Sequence, residues 1–584
     1  EPFVLLEFEG GPRLYRNPVE TVEARRPDEV EPALRKLRGR HAAGFVGYEA
    51  GHALEPKLAP LARGAPADAP PLLWFGLFDG WEAVDPAALL PDPGGAWAGR
   101  PRPVLAREEH EAAVERALDH ILAGDIYQAN LTFPAEVPVA GHPLALYAAI
   151  RPRARAGWAG IVFTGADWLL SFSPELFFTV EAGRITARPM KGTAPAGGDP
   201  EALRNDPKQR AENLMIVDLL RNDLSRLSKP GTVKVPALFD VETYPTLLQM
   251  TSTVTAEMEE GRDAVDLLST IFPCGSVTGA PKIRAMEIIA ALEREQRGPY
   301  TGSIGRLAPD GEAAFNVAIR TLVLRGPERG VARLGLGSGI VADSVAADEW
   351  RECLAKGEFV ATAGRFDLIE TMRFDPHDGV AELDRHLARM KRSAETFGFA
   401  FDRHHARNEL QAATFFLRGP RKLRLLLSPS GALAIEARPL PEAPEEAVEV
   451  RLVPLPVEPE DYRLRHKTSD RRFYDEARRA AGTFEVVFVD PEGFLTEGSF
   501  TTLFVERGGR LLTPPLARGL LPGVLRQALI EEGRAVEADL RAEDLEGEFF
   551  VGNVVRGLLA ATLVLPAREA RGEGDHAKHG GGAA

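Results

Sequence analysis

The chain has 584 residues, too many for one hydrophobic core, so we expect at least two domains. Apolar residues make up 44% and charged residues 27%, as in globular proteins, and no apolar run is long enough to cross a bilayer. The net charge of −15 argues against nucleic acid or a membrane as partner, although local basic groups can still bind a small anion. Cys274 and Cys353 form no disulfide framework or metal motif, which favours a reducing cytoplasm.

The first part of the chain mixes short strands with loops rich in proline and glycine. Apolar spacing predicts a helix over residues 108–123, which the Gly124-Asp125 pair ends. The elements predicted after it are strands at 159–164, 169–172 and 176–180, helices at 211–227, 264–271 and 281–293, strands at 302–307, 313–324 and 333–340, and a helix at 347–361.

A second unit is predicted to start at Phe366. Its predicted elements are a strand at 368–374, a helix at 383–397, and strands at 422–427, 432–437, 485–489 and 501–506. The end of the chain is almost entirely glycine, alanine and charged residues, a composition typical of disorder. We therefore expect domains at 1–362 and 366–567, with a disordered tail at 568–584.

Lys191, in the stretch 188–193 (RPMKGT), is the first candidate for a reactive residue. It follows Glu175 by the length of a short hairpin, which would bring the two side chains across from each other. A second candidate, Lys467, lies far downstream. Two lysines in two different settings indicate two active sites.

Five stretches in the first part resemble the chorismate-utilising enzymes and keep the order of that family. They are 124–131 (GDIYQANL), 173–175 (SPE), 212–219 (ENLMIVDL), 275–282 (GSVTGAPK) and 337–340 (GSGI). Each is weak alone, but together they identify residues 1–362 as a chorismate-binding domain. The substrate implied by the resemblance, chorismate, is a small dianion with two carboxylates.

The resemblance implies a Mg²⁺ site, because Mg²⁺ binds carboxylates and keeps positions open for substrate oxygens. The expected ligands are Glu212, Glu349 and Glu352, of which the last two share one face of a helix. Residues implied to bind the substrate carry hydroxyl, guanidinium, amide or closely approaching backbone donors. They are Thr278, Gly279, Tyr300, Arg320, Gly337, Ser338, Gly339 and Gln249, the last where many relatives have histidine.

Lys191 distinguishes branches of the family. Members that make 2-amino products typically carry alanine here, whereas lysine resembles the 4-amino branch, the aminodeoxychorismate synthases. The resemblance implies that Lys191 adds to the ring as the 4-hydroxyl leaves, with Glu175 as the general acid, and that ammonia then displaces the lysine. The chain contains no Gly-x-Cys-x-Gly turn of the pathway's glutaminases, so a separate glutaminase subunit is expected to supply ammonia.

The second part resembles the fold-type IV pyridoxal-phosphate enzymes, which include branched-chain and D-amino acid aminotransferases and aminodeoxychorismate lyase. The matching stretches are 383–390 (LDRHLARM), 466–468 (HKT), 495–499 (LTEGS), 521–525 (LPGVL) and 552–557 (GNVVRG). The resemblance implies that Lys467 bonds the cofactor aldehyde and later acts as a base, and that Glu497 faces the ring nitrogen. Arg389 and the backbone N–H groups of Val524 and Leu525 are expected to hold the phosphate.

The fold expected overall is α/β and α+β: a large β-sandwich-with-helices chorismate-binding domain, then a fold-type IV α+β domain. The expected function is bifunctional, from chorismate and ammonia to 4-aminobenzoate for folate synthesis, in a cytoplasmic protein that the resemblance suggests is a homodimer. One alternative joins anthranilate-type or isochorismate-type chemistry to an aminotransferase of the branched-chain or D-amino acid kind. In another, the first domain is a silent docking module and only the second reacts.

Overall fold

The computed structural model describes residues 1–564 apart from residues 155, 196, 244–246, 327–329 and 363–365. The chain forms two compact units, and the second begins at Phe366. The tail expected at 568–584 lies outside the described residues. Within the described ranges, no helix has the length and apolar character needed to cross a membrane.

Two large sheets build the first unit. Its strands are β1 (Phe3–Phe8), β2 (Gly11–Arg16), β3 (Glu20–Ala24), β4 (His41–Val46), β5 (Leu73–Phe78), β6 (Glu82–Ala83), β7 (Trp97–Ala98), β8 (Arg102–Pro103), β9 (Gln128–Ala140), β10 (Trp158–Phe163), β11 (Asp167–Ser173), β12 (Leu176–Glu181), β13 (Arg184–Arg188), β14 (Met190–Pro195), β15 (Lys234–Thr243), β16 (Leu247–Glu257), β17 (Gly279–Ala280), β18 (Ser303–Leu307), β19 (Ala313–Asn316), β20 (Thr321–Arg325) and β21 (Val331–Ile340). One sheet has the order β17-β9-β21-β20-β11-β10-β1-β2-β6, and the other β14-β16-β13-β12-β19-β18-β4-β5-β3.

Helices cover the outer faces of this pair of sheets. They are α1 (Pro27–Lys36), α2 (Ala50–Leu54), α3 (Pro86–Leu89), α4 (Arg107–Leu122), α5 (Pro143–Ala154), α6 (Pro200–Asn205), α7 (Pro207–Ser225), α8 (Ala264–Ile271), α9 (Lys282–Leu292) and α10 (Ala346–Gly357). One apolar cluster joins the inner faces of the sheets through Leu6, Phe45 and Val162, and further clusters pack helices against the outer faces. The first unit is therefore a β-sandwich flanked by helices.

The hairpin of β12 and β13 positions the predicted catalytic pair. Its strands pair from Glu181 opposite Arg184 to Leu176 opposite Arg188. The two turn residues between them, Ala182 and Gly183, both have positive φ, the geometry that matches the twist of a tight hairpin. Residue 175 comes just before β12, and residue 191 comes shortly after β13. Both therefore lie near the open end of the hairpin, as the sequence spacing predicts.

The predicted strand at 313–324 was wrong, because the structure divides it into β19 and β20. The break contains Arg320, whose φ is +49°. An arginine gains nothing locally from left-handed backbone, so the surrounding structure must hold it there. Its carbonyl accepts a hydrogen bond of 3.0 Å from the Phe172 N–H, which ties the break to β11.

The second unit combines a small antiparallel sheet with a larger mixed one. Its elements are β22 (Leu368–Asp375), β23 (Gly379–Val380), α11 (Leu383–Phe397), α12 (Arg403–Thr414), β24 (Arg421–Leu427), β25 (Leu433–Pro439), β26 (Val448–Pro454), α13 (Tyr462–Arg465), α14 (Arg472–Ala481), β27 (Glu485–Val489), β28 (Leu495–Gly498), β29 (Thr502–Arg507), β30 (Arg510–Thr513), α15 (Val524–Glu531), β31 (Ala535–Glu537), β32 (Phe549–Asn553) and β33 (Gly557–Leu563). The sheets have the orders β23-β22-β24-β25 and β28-β27-β26-β33-β32-β29-β30-β31. In the larger sheet β26 pairs in parallel with β27 and β33, and β30 with β31, whereas the other strand pairs are antiparallel, so the sheet is mixed.

A buried ion pair in the first unit gives a test of this fold. The Arg297 guanidinium, 2% exposed, contacts Glu293 at 2.7 Å and also donates to the Val277 and Asn130 carbonyls. Glu293→Ala should lower the free energy of unfolding by ~3–5 kcal/mol, because it leaves a buried charge without its partner. Asp218→Ala is the matched control, since it removes an exposed ion pair with Arg221, and should cost less than ~1 kcal/mol. Denaturant unfolding of both variants measures the difference; equal losses would contradict the assigned burial.

Candidate active sites

Lys191 lies on β14 with its amine enclosed by the facing sheet. The Nζ atom is 3.6 Å from Oε2 of Glu212, and both side chains are mostly buried. A Cβ placed on Gly339 of β21 would lie 2.9 Å from the same Nζ. The Lys191 carbonyl accepts a 3.1 Å hydrogen bond from Asn213 on α7. The amine therefore sits between α7 and β21, where the glycine at position 339 lets it approach the strand closely.

Glu175 is buried close to this amine. Burial raises the pKa of its carboxyl to about 7, while the Ser276 hydroxyl and the Lys191 charge favour the ionised form. Its Oε1 atom is buried without a hydrogen-bond partner among the described residues. A carboxylic acid that keeps its proton near neutral pH and has one oxygen available is suited to proton donation.

The three predicted metal ligands lie on two helices, with lysines beside them. Glu212 is on α7, and Glu349 and Glu352 are on α10. Partial burial disfavours the charge of Glu352, but Lys356, 2.7 Å away, together with Lys191 and Lys208 holds its pKa below the ordinary value. The charges of Glu212 and Glu349 help to raise the pKa of Lys208. The three carboxylates and the neighbouring lysines therefore form one cluster of interacting charges.

No group of three metal-ligating side chains converges within the described part of the chain. The carboxylates of Glu212, Glu349 and Glu352 are nevertheless the hard oxygen donors that Mg²⁺ prefers, and they share this cluster. These side chains thus suit Mg²⁺ by the chemistry of their oxygen atoms, and the Mg²⁺ site stays a prediction.

Gln128 is a candidate that the sequence analysis did not single out. Its side chain is fully buried, and neither amide atom has a hydrogen-bond partner within the described ranges. Its Nε2 would lie 3.1 Å from a Cβ on Gly339, so it shares the space occupied by the Lys191 amine. It lies within the motif 124–131, but only burial and the pairing of β9 beside β21 reveal where it points.

Gln249, predicted to bind substrate, lies on β16 next to the strand that carries Lys191. Its Nε2 donates to the Gly192 carbonyl at 2.8 Å. Gln249 thereby braces the backbone immediately after Lys191. Thr278 is fully buried, and its hydroxyl donates to the carbonyls of Cys274 and Gly275, so this donor serves the loop before α9. A Cβ on Gly279 would lie only 2.2 Å from the Gln128 carbonyl, which explains the need for glycine there.

Of the other predicted substrate residues, Tyr300, Gly337 and Gly339 lie on one face of β21, whereas Ser338 points to the opposite face. The Tyr300 ring covers Gly335, where an added Cβ would lie 2.1 Å from the ring. Burial raises the pKa of the Tyr300 hydroxyl, and Tyr300 lines a cavity of about 1540 Å³ whose described lining does not include Lys191, Glu175 or Glu212. Gly337 and Gly339 follow along the strand on the same face, because alternate residues of a strand share a face. Ser338, between them, is fully buried, and the Gly337 carbonyl accepts a 3.0 Å bond from Lys356.

Lys467 lies in the second unit between α13 and α14. Its carbonyl accepts a 2.8 Å hydrogen bond from Ile369 at the start of β22, which fixes the backbone. Burial lowers the pKa of its amine to about 7; Arg389 and Arg471 add to this effect, and Glu370 opposes it. The amine is therefore substantially neutral at neutral pH and ready to react with an aldehyde.

Glu497 is buried in the same cavity. Burial raises the pKa of its carboxyl to about 7, although a 2.6 Å hydrogen bond from the Tyr474 hydroxyl favours the charged form. Tyr474 is also buried, so the bond fixes one carboxyl oxygen. The sequence analysis missed Tyr474 because nothing in the spacing of a helix and a strand shows that they face each other.

Arg389 is already paired in this cavity. Its guanidinium donates to both oxygens of buried Glu370, at 2.9 and 2.6 Å, and to the Pro522 carbonyl at 2.9 Å. Val524 and Leu525 begin α15 just after Pro522, so their N–H groups are the unpaired donors of a helix start. A Cβ on Gly523 would lie 2.7 Å from the Thr502 hydroxyl. Arg389, Val524 and Leu525 thus line the same cavity, and their role as a phosphate site stays a prediction.

A pyridoxal phosphate cofactor fits these residues. The cavity contains Lys467, whose pKa is about 7, and the buried acid Glu497, which could face a ring nitrogen. It also contains the start of α15 beside the Arg389 guanidinium. It also contains a buried histidine nitrogen, Nε2 of His386, with no partner in the described structure. The amine, the acid and the anion-binding helix start therefore match the cofactor's aldehyde, ring nitrogen and phosphate.

Each of the two units matches a known protein family. Residues 13–362 match the model described as chorismate binding enzyme, and residues 367–564 match the one described as amino-transferase class IV. The first match spans more than half of the chain, which therefore belongs to the chorismate-binding enzymes. The protein is a chorismate-binding synthase unit fused to a class IV aminotransferase-like unit, whose fold implies pyridoxal phosphate. The predicted fold class is confirmed.

Individual relatives carry two different names. Anthranilate synthase component 1 of Thermus thermophilus is 41% identical over 280 residues, covering 46% of this chain and 60% of that protein. Aminodeoxychorismate synthase component 1 of Klebsiella aerogenes is 41% identical over 259 residues, covering 43% and 57%. The chain thus spans little more than half the length of these relatives. The crystal structure of anthranilate synthase component I from Streptococcus pneumoniae superposes with a TM-score of 0.52 at 26% identity, over 62% of this chain and 92% of that one.

The lowered pKa of Lys467 can be tested by labelling. At pH 7 about half of its amines should be neutral, against roughly one in a few thousand for an ordinary lysine. Limiting pyridoxal phosphate followed by borohydride should therefore label Lys467 first, as measured by peptide mass spectrometry. Exposed Lys391 is the matched control within the same unit. Labelling in proportion to exposure would contradict the assigned environment.

Proposed function

We propose that the first unit converts chorismate and ammonia to 4-amino-4-deoxychorismate, and that the second eliminates pyruvate from this product to give 4-aminobenzoate. The observation that carries the proposal is the position of the Lys191 amine, 3.6 Å from Glu212, against Gly339 and within electrostatic reach of Glu175. A nucleophile, an acid and carboxylates for a divalent ion lie together in one site. The relatives named aminodeoxychorismate synthase support the same assignment.

In the proposed first step, Lys191 forms a bond to the ring carbon next to the carboxyl-bearing carbon. The ring double bonds shift, and the carbon–oxygen bond at position 4 breaks. Glu175 gives its proton to the departing hydroxyl, which leaves as water; a pKa of about 7 keeps that proton available at neutral pH. Ammonia then bonds to carbon 4, the double bonds shift back, and the Lys191 amine leaves. Two displacements replace one difficult substitution.

Substrate binding in this proposal uses charges of both signs. Arg320 would pair with one carboxylate of chorismate, helped by the Tyr300 hydroxyl and by backbone N–H groups from Gly337 to Gly339. Mg²⁺, held by Glu212, Glu349 and Glu352, would neutralise the other carboxylate. The Gln128 amide could donate a hydrogen bond to bound chorismate, because its Nε2 lies beside the Lys191 amine. Thr278 and Gly279 would shape the wall next to Gln128.

In the second unit, bound pyridoxal phosphate would supply an electron sink for the carbon that carries the substrate amine. Lys467 would take the proton from that carbon, a role that its pKa of about 7 suits. Glu497 would face the ring nitrogen and share its proton. Arg389 and the N–H groups of Val524 and Leu525 would hold the phosphate. Loss of pyruvate then makes the ring aromatic.

The proposal also assigns partners. A separate glutaminase subunit would supply the ammonia, because the relatives of the first unit are themselves called component 1. A cytoplasmic homodimer that serves folate synthesis completes the proposal. The second candidate function pairs anthranilate-type chemistry with an aminotransferase; it is favoured by anthranilate synthases that match with the same 41% identity.

Product analysis tests the assignment. With chorismate, Mg²⁺, pyridoxal phosphate and ammonium, the protein should form 4-aminobenzoate and pyruvate, identified by chromatography and mass spectrometry. Lys191→Ala should lower this rate by at least ~1000-fold, because the nucleophile is lost. Lys208→Ala removes a half-exposed lysine from the same cluster and should cost less than ~10-fold. Anthranilate as the main wild-type product would establish the second candidate instead.

A variant in the second unit can distinguish the two proposed reactions. Lys467→Ala should stop formation of 4-aminobenzoate while 4-amino-4-deoxychorismate accumulates, because only the elimination needs this base. Lys391→Ala is the control, since it changes an exposed lysine of the same unit and should leave both products unchanged. Rapid release of 4-aminobenzoate by Lys467→Ala would rule out its role as the base.

The raised pKa of Glu175 predicts a pH dependence for the first reaction. Protonated Glu175 is the active form, so the rate of amination should fall as pH rises through about 7, once correction is made for ionisation of ammonium. Glu175→Gln should remove this dependence and slow the reaction ~100- to 10,000-fold, because the amide cannot give up a proton. Stopped assays of chorismate consumption from pH 6 to 9 measure both effects. An unchanged profile in the variant would assign the ionisation to another group.

A further inference from the structure

Arg389, the guanidinium expected to hold the phosphate, is already paired with a buried acid. Arg389 contributes one positive charge, but Glu370, only 1% exposed, accepts two hydrogen bonds from it and cancels it. Burial opposes the charge of Glu370, yet Arg389 and His386 hold its pKa well below the ordinary value, so it stays ionised. A phosphate carries close to two negative charges at neutral pH, and a buried dianion needs compensation.

His386 lies where that compensation is needed. It is 2% exposed, and its Nδ1 is 2.6 Å from Oε2 of the same Glu370. Its other nitrogen, Nε2, is buried without a hydrogen-bond partner among the described residues, and the side chain lines the cavity together with Arg389 and Val524. On α11 the two residues are three positions apart, so one helix face presents both.

The groups that face His386 are charged. Glu370 approaches from β22, Arg389 from its own helix and Lys467 from the loop before α14. Burial lowers the pKa of His386, Arg389 and Lys467 lower it further, and Glu370 opposes them. In the cofactor-free protein the ring is therefore neutral at neutral pH. Its proton belongs on Nδ1, facing Glu370, which leaves Nε2 as an acceptor that cannot bind an anion.

We propose that His386 is a ligand of the cofactor phosphate and that it takes up a proton when the phosphate enters. Nε2–H then donates to a phosphate oxygen while Nδ1–H continues to donate to Glu370. His386 thus adds a positive charge beside the paired Arg389 only when an anion arrives. The inference rests on the proposed pyridoxal phosphate site and adds to it a proton that accompanies binding.

Calorimetry with pyridoxine 5′-phosphate tests this, because that analogue has the phosphate but no aldehyde to react with Lys467. Titrations of the cofactor-free full chain in two buffers of different ionisation enthalpy give the number of protons taken up. The wild-type protein should take up close to one proton per site near pH 7.5, where free phosphate monoesters are mostly dianions. Pyridoxine, which lacks the phosphate, should cause no such uptake. The affinity for pyridoxine 5′-phosphate should weaken as pH rises.

Two variants separate the hydrogen bond from the proton. His386→Asn can keep the bond to Glu370 but does not reach the phosphate; it should bind pyridoxine 5′-phosphate roughly tenfold or more weakly at pH 7, without proton uptake. His386→Gln can place an amide donor near the Nε2 position and should recover part of the affinity, also without uptake. His404→Asn changes an exposed histidine of the same unit and should behave as wild type.

Different failures have different meanings. If the wild-type protein binds pyridoxine 5′-phosphate without taking up a proton, that result alone overturns the role of His386. Equal uptake in wild type and His386→Asn would assign the proton to another group, such as Lys467, Glu497 or the phosphate itself, and would overturn the role of His386 as well. If the wild-type protein binds neither pyridoxine 5′-phosphate nor pyridoxal phosphate at any pH, the proposed cofactor site falls together with the inference.

Discussion

Burial of ionisable side chains is the constraint on which both sites depend. Glu175, Lys467 and Glu497 differ in chemistry, yet burial brings the pKa of each to about 7. One pKa unit corresponds to about 1.4 kcal/mol, so charging Lys467 inside the fold costs roughly 5 kcal/mol more than in water, and charging Glu175 roughly 3 kcal/mol more. The fold gives up part of its stability to keep these groups able to exchange protons near neutral pH.

Other buried acids show that burial alone does not decide the charge. Glu370 stays ionised because it accepts hydrogen bonds from both Arg389 and His386. Glu497, in the same unit and also buried, has a neutral tyrosine hydroxyl as its hydrogen-bonded side-chain partner among the described residues and keeps its proton more readily. The difference between the two acids is the hydrogen-bonded cation: Glu370 has one and stays ionised, whereas Glu497 has none in the described part of the chain and can share a proton with a ligand.

Much of the framework could be predicted from local patterns. The hairpin between Glu175 and Lys191 was expected from their spacing, and α8 spans the residues 264–271 that the sequence analysis predicts as a helix. The break at Arg320 could not be foreseen, because its positive φ is imposed by distant contacts. Gln128, Tyr474 and His386 escaped assignment for a related reason: their importance lies in what faces them across elements, and spacing along the chain carries no trace of that.

The closeness of Lys191 to Gly339 has an evolutionary consequence. A methyl group at position 339 would lie 2.9 Å from the Lys191 nitrogen and 3.1 Å from the Gln128 Nε2, so alanine there would require the end of the lysine side chain to shift. A short residue at position 191 would remove the nearest of these contacts but would leave the Gln128 amide in place. The effect of a substitution at position 339 should therefore depend on the residue at position 191, although the two positions lie on strands of different sheets.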